Sequence, residues 1–78
     1  MKQNRAERVI EEMKKKGVSQ MLITDPMSIY YLTGVYIQPM ERFYALLLKQ
    51  NGEHVFFLNH LFTVPGETGI REVWASDT

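Results

Sequence analysis

The stretch Asp25-Pro26-Met27-Ser28-Ile29-Tyr30-Tyr31-Leu32-Thr33-Gly34, followed by Glu41-Arg42 and the apolar run Phe43 to Leu48, decides how this chain is read. Asp25 and Pro26 fit the N-cap and first position of a helix. The carboxylate accepts from free first-turn amides, and proline lacks an N–H that the helix would leave unpaired anyway. The helix they open is short, about Pro26 to Leu32, and Gly34 ends it because glycine tolerates left-handed backbone. Val35 to Met40, with Gln38-Pro39, is a loop, and Phe43 to Lys49 is an apolar strand.

Upstream, Ala6, Val9, Ile10, Met13 and Gly17 recur at helical spacing, with Arg5, Glu7, Arg8, Glu11, Glu12 and the lysines on other faces. Asn4 is the expected N-cap, Glu7 completes a capping box, and Gly17 is the C′ residue, so the first helix is predicted from about Arg5 to Lys16. Ser19 to Thr24 is the first strand. Its continuous run Met21-Leu22-Ile23 is the pattern of a central strand covered on both faces.

Downstream, Asn51-Gly52 signals a hairpin whose type I′ turn needs positive φ at both residues. Glu53 to Leu58 is the returning strand, and His60 to Val64 a helical turn capped by Asn59. Pro65, Gly66 and Gly69 break the chain, and Ile70 to Ala75 is a fourth strand. Helix, strand, helix, strand, strand, turn, strand implies an α/β fold, a mixed sheet flanked by helices. The chain reaches Ser76-Asp77-Thr78 just after the fourth strand. A sheet of this kind is better covered by further helices, so the expectation is a truncated domain.

Seventy-eight residues hold one small domain, and 45% hydrophobic content suits a folded one. Nine basic and nine acidic side chains cancel, which gives no electrostatic reason to expect nucleic acid. The one basic run, Lys14-Lys15-Lys16, sits where a helix C-terminus favours cations. The absence of cysteine excludes disulfides and thiol chemistry. No segment approaches the roughly 18 apolar residues of a membrane span, and a cytoplasmic location is expected.

The ingredients of catalysis are sparse. The two histidines, His54 and His60, lack i, i+4 spacing and no HExxH occurs. His54 is expected to face solvent after the hairpin and His60 to cap or line a turn. Glu11 and Glu12 point to different helix faces, Asp25 is explained as a cap, and only Glu53 and Glu72 fall on predicted strands, which argues against a nuclease. Ser19, Ser28 and Ser76 lie in no GxSxG motif, and the five glycines are scattered. No catalytic and no metal-ligating residue is assigned. Most aromatics are expected in the core, with Tyr36 the exposed exception.

Asp25, Ile29, Tyr31, Leu32, Thr33, Gly34, Glu41, Arg42 and Gly52 match, in order and spacing, a pattern like D-x-x-x-I-x-Y-L-T-G, then E-R, an apolar strand and a glycine hairpin. In this the chain resembles the N-terminal domain of the creatinase/prolidase family, the Xaa-Pro dipeptidases and aminopeptidases. The resemblance spans residues 1–78 but only part of the family's domain. It implies an α/β unit similar to the ribonuclease H fold, without nuclease activity. It also implies a second, C-terminal metallopeptidase domain holding two divalent metals, often manganese, whose ligand motifs do not occur here.

The function so implied is noncatalytic. The domain would contribute to homodimerisation and substrate-site shaping in a cytoplasmic enzyme that cuts proline-containing dipeptides. The alternative is a stand-alone binding or dimerisation module of the same fold. Creatinase-like amidine hydrolysis by the parent is a third reading. Creatinase-type relatives use an arginine matching Arg42 to hold a substrate carboxylate, a task suited to the planar guanidinium fork. Arg42 and Tyr36 are therefore the candidate substrate-binding residues. The bland alternative for Arg42 is a salt bridge to Glu41 or another nearby carboxylate. Asn59-His60-Leu61-Phe62 departs from the family's usual proline-containing stretch, which leaves substrate preference open.

Overall fold

The computed structural model describes residues 1–64, 66 and 68–76. Its elements run α1 (Gln3–Lys16), β1 (Gln20–Ile23), α2 (Pro26–Thr33), β2 (Ala45–Lys49), β3 (Val55–Asn59) and β4 (Arg71–Ala75), the predicted order. The strands form one mixed sheet in the order β1-β2-β3-β4. β1 and β2 are antiparallel, as are β2 and β3, while β3 and β4 are parallel.

Strand residues alternate between sheet faces, so the register sorts the side chains. Leu46 pairs with Ile23 and Phe56, and Leu58 pairs with Trp74. On this face Leu46, Leu48, Phe56 and Leu58 are fully buried against Met13 of α1 and Ile29 and Leu32 of α2. Both helices therefore contribute to the core on one side of the sheet. Glu72 shares that side, where its carboxylate accepts from the Thr68 hydroxyl at 2.9 Å and the Trp74 indole at 3.1 Å. The opposite face carries Leu22, Leu47, Phe57 and Val73.

Several boundaries differ from expectation for definable reasons. α1 starts at Gln3, so Asn4 lies inside the helix and the capping box does not form. Lys2 is the N-cap without a side-chain cap bond, and its amide donates to the Leu32 carbonyl at 2.7 Å. A tertiary tie to α2 sets this helix start. Gly17 ends α1 in left-handed backbone as predicted, and exposed Glu11–Lys14 and Glu12–Lys15 pairs join its last turns. β1 is an edge strand, with Met21 and Leu22 exposed. The expectation of a central strand covered on both faces is corrected: the apolar run occupies the sheet edge, and its residues on both faces are exposed.

The hairpin is real but its turn is not type I′. Gly52 has φ of 87°, whereas Asn51 is not in the positive-φ region. The Gly52 amide closes a turn onto the Lys49 carbonyl at 3.0 Å, and the Asn51 side chain accepts from the Glu53 amide at 2.9 Å. Glu53 is exposed and precedes β3, not part of it. His54 is half-buried, because its Nδ1 accepts the Lys49 amide at 3.0 Å. The helical turn expected over His60 to Val64 is shorter than that, a single turn at His60 and Leu61 in which the Phe62 amide donates to the Asn59 carbonyl and the Leu61 amide to the Asn59 side chain, both at 2.9 Å. Among the predicted chain breaks, Gly66 and Gly69 are left-handed and Pro65 lies outside the described residues. Asp77 and Thr78 also lie outside them.

Candidate functional site

The two residues singled out from sequence lie on the segment between α2 and β2, and its base is firmly held. Asp25 caps α2 by accepting the Ser28 amide at 3.1 Å and the Ser28 hydroxyl at 2.8 Å. The Ser28 hydroxyl and then its amide hold the Asp25 carboxyl below its ordinary range. Ser28 and Asp25 are thus committed to a cap. At the other end, the Gly34 amide donates to Tyr30 at 2.8 Å with φ of 80°. The Thr33 hydroxyl donates to Ile29 at 2.7 Å and accepts from the Val35 amide at 3.0 Å. Val35 is buried, and its carbonyl accepts from the Tyr44 hydroxyl at 3.5 Å.

Tyr44 joins this loop to the core. Its ring packs on Phe56 and Phe62, with centroids 5.7 and 5.6 Å away. Burial pushes its phenol up to about 12, because the phenolate would lose its hydration there. Above that base the segment turns outward. Tyr36 is half exposed, stands edge-on to Tyr30 with centroids 6.1 Å apart, and accepts a hydrogen bond from the Gln38 side chain. The Arg42 amide closes a turn onto the Pro39 carbonyl at 3.0 Å. Within that turn Met40 has φ of 57° and is 82% exposed. A non-glycine residue there costs about 1–2 kcal/mol, so the turn before Glu41-Arg42 is strained.

Arg42 is half-buried and Glu41 exposed. The segment thus presents a phenol and a guanidinium six residues apart in sequence. Such groups can bind a carboxylate and a neighbouring polar group, but neither is a nucleophile paired with a base. Tyr36 and Arg42 line neither of the two described grooves. One, of about 640 Å³, lies around the hairpin and Arg71. The other, of about 590 Å³, lies between β1 and α2.

The expectation that most aromatics are core is corrected. Tyr44 and Phe56 are buried, but Tyr30, Tyr31 and Phe43 are exposed along with Tyr36. Sequence reading also missed Arg5. Its place off the apolar stripe of α1 gives no hint of a contact, yet its guanidinium lies 4.7 Å from the centre of the Tyr31 ring and donates to the Tyr31 carbonyl at 2.9 Å. The adjacent tyrosines at 30 and 31 were the available signal, since an arginine one helix away can stack on an exposed ring. His60 is exposed and stacks on Trp74 at 5.9 Å. Among the described residues, no three His, Asp or Glu side chains gather where they could hold a metal ion. The described residues therefore do not fit a two-metal centre. No helix among the described residues is long and apolar enough to cross a membrane.

A family model described as the creatinase/prolidase N-terminal domain matches residues 5–72. An uncharacterised peptidase of Staphylococcus saprophyticus is 44% identical over 55 residues, covering 70% of this chain and 16% of its own length. One from Staphylococcus aureus is 38% identical over 50 residues, covering 64% of this chain and 14% of its own. The chain thus spans about one sixth of the length of these curated relatives. Among solved structures, a proline dipeptidase from Streptococcus pneumoniae superposes with a TM-score of 0.80 at 24% identity, covering 92% of this chain and 55% of that one. The N-terminal domain of an X-Pro dipeptidase from Streptococcus pyogenes gives 0.78 at 22%, covering 95% and 58%. At these identities the superpositions establish the fold.

Proposed function

Because this chain belongs to the creatinase/prolidase N-terminal domain family, we propose that it is the noncatalytic N-terminal part of an Xaa-Pro dipeptidase-like metallopeptidase. The observation that carries the reading is the match over residues 5–72 in a chain whose fold superposes on dipeptidase domains. Metal-activated water would have to come from another part of a full-length protein, which supplies the two divalent ions, manganese being the expected metal. The residues described above do not fit such a pair, and no step is assigned to them.

In the full-length enzyme this unit contributes to a homodimer and borders the active site of the neighbouring subunit, acting on proline-containing dipeptides in the cytoplasm. Arg42 holds the substrate's free carboxylate, and Tyr36 lines the same approach. Support comes from the position of both on an outward-turned segment with an anchored base and a strained turn. Recognition residues are often carried this way, on loops set by a rigid scaffold.

The purified chain, loaded with manganese, is expected to give no hydrolysis of Xaa-Pro dipeptides, and turnover above background would sink the noncatalytic reading. In the full-length parent, Arg42→Ala should raise KM for a dipeptide more than for its C-terminally amidated analogue, while the fold is kept. One charge-assisted contact corresponds to about 1.5–3 kcal/mol. Equal effects on both substrates would return Arg42 to a structural role.

A further inference from the structure

The groove of about 640 Å³ around the hairpin has the size of a ligand cleft, and neither Tyr36 nor Arg42 takes part in it. Its walls come from the first turns of α1, the connection between β2 and β3, and the start of β4. Buried Val55 and half-buried Ile10 and Ile70 give it an apolar lining. The charges are sorted by wall. Glu7 stands on α1, whereas Lys49 and Arg71 stand on β2 and β4. They do not satisfy one another: among the described residues Glu7 forms no ion pair with either cation, and the pairs on α1 join Glu11 to Lys14 and Glu12 to Lys15. Opposite charges that share a cleft without pairing leave room for a group between them. His54 adds a donor. Its Nδ1 accepts the Lys49 amide at 3.0 Å, so the proton of the neutral ring sits on Nε2. That N–H has no acceptor among the described residues. Glu53, at the rim, accepts from the Asn51 side chain at 3.5 Å.

We propose that this groove binds a short peptide as a zwitterion, with the peptide's C-terminal carboxylate on Arg71, Lys49 and the His54 Nε2–H and its terminal ammonium on Glu7. A planar guanidinium fork suits the carboxylate. A carboxylate on the facing wall, with no cation of its own, suits the ammonium. The apolar lining lowers the local dielectric, which strengthens both contacts beyond those of an open-surface ion pair. Charge alone does not select an occupant: Glu7 and Glu53 disfavour a simple anion, and Lys49 and Arg71 disfavour a simple cation. A ligand with one charge of each sign, separated along its length, meets both walls. This site is distinct from the loop that carries Tyr36 and Arg42, and the proposal holds whether or not the parent is a peptidase.

The test titrates the native chain with glycylglycine and follows each backbone amide by proton–nitrogen correlation NMR. N-acetylglycylglycine, which lacks the ammonium, glycylglycinamide, which lacks the carboxylate, and inorganic phosphate are the comparison probes. Saturable shifts are expected at Gly52, His54, Val55 and Arg71 and none at Tyr36 or Arg42, with a Kd for glycylglycine on the order of 1 mM. Each blocked peptide should bind at least about fivefold more weakly, having lost one charge-assisted contact. Arg71→Gln should weaken glycylglycine about fivefold and leave glycylglycinamide unchanged. Glu7→Gln should weaken glycylglycine by a similar factor and leave N-acetylglycylglycine unchanged. Lys49→Gln takes the place of Arg71→Gln if the latter loses the dispersed spectrum of a folded chain. Absence of saturation overturns the proposal, as does phosphate that binds as tightly as the peptide, because the groove would then be a simple anion site. Glycylglycine affinity unchanged by Glu7→Gln, or by the cation-side variant, overturns it too.

Discussion

Raising the pH should loosen this domain through one buried phenol. Tyr44 is 3% exposed, its hydroxyl sits 3.5 Å from the Val35 carbonyl, and burial pushes its pKa from the ordinary 10.0 up to about 12. In the unfolded chain the phenol ionises at its ordinary value. The folded pKa is raised, so the contribution is intact below about pH 10 and is lost as pH rises toward 12. With one decade worth about 1.36 kcal/mol, the loss is ~1.4 kcal/mol at pH 11 and ~2.3 kcal/mol at pH 12. For 78 residues an unfolding entropy of about 2.1 cal/mol/K per residue converts the first figure to a fall of ~8 °C in Tm. Other groups titrate in this range too, so the assay is the difference between native protein and Tyr44→Phe, followed by urea unfolding from pH 8 to 11. Tyr44→Phe should cost under about 1 kcal/mol at neutral pH, the hydrogen bond being long, and should then overtake the native protein in relative stability as pH rises. Absorbance at 295 nm should show one of the four tyrosines ionising late. Parallel pH profiles for the two proteins, or a single common ionisation, would refute the reasoning.

At the acid end, burial lowers the pKa of His54, whose Nδ1 accepts the Lys49 amide. Stability from this site is therefore full above about pH 6.5 and is lost as pH falls through the lower folded value. Urea midpoints at pH 7.5 and 5 should differ more for native protein than for His54→Phe, and equal differences would exclude the imidazole as the cause. Phe56→Ala removes a fully buried ring at a cost of about 3–5 kcal/mol. A core in this size range supplies about as much in total, so circular dichroism at 25 °C should show an unfolded chain, and a cooperative melt would contradict the packing described. Gly52→Ala should cost about 1–2 kcal/mol through its φ of 87°, since an added Cβ there meets open space. Asn51→Ala should cost under about 1 kcal/mol, losing only the bond from the Glu53 amide. Equal large losses at both positions would restore the type I′ turn.

Local chemistry made much of this fold legible. Asp25 and Pro26 start α2, and Gly17 and Gly34 end the helices, because cap geometry is decided within a few residues. What escaped was set by distant partners. The start of α1 depends on Lys2 reaching Leu32, and the burial of His54 depends on the Lys49 amide across the hairpin. Asn51-Gly52 marked the right place, but a longer connection shares the bend between Lys49 and Gly52 and relieves Asn51 of positive φ. The Met21-Leu22-Ile23 run misled, because an apolar run carries no sign of a strand's position, and β1 lies exposed at the sheet edge. For the candidate site, Arg42 and Tyr36 were legible as loop residues. The strained Met40 between them was not, because nothing in a methionine announces left-handed backbone.

The strand order has a consequence for how the protein is made. Each strand pairs with the one synthesised just before it, so the sheet grows in the sequence in which it leaves the ribosome. The widest of these closures, Gln20 onto Lys49, spans about 30 residues, and closure entropy rises only logarithmically with length. No strand waits with both edges bare for a distant partner, which shortens the time the nascent chain spends open to aggregation. A link that must wait longer joins the Met1 amine to the Thr68 carbonyl, at 2.9 Å. Met1 thus finds its place only after Thr68 has been made.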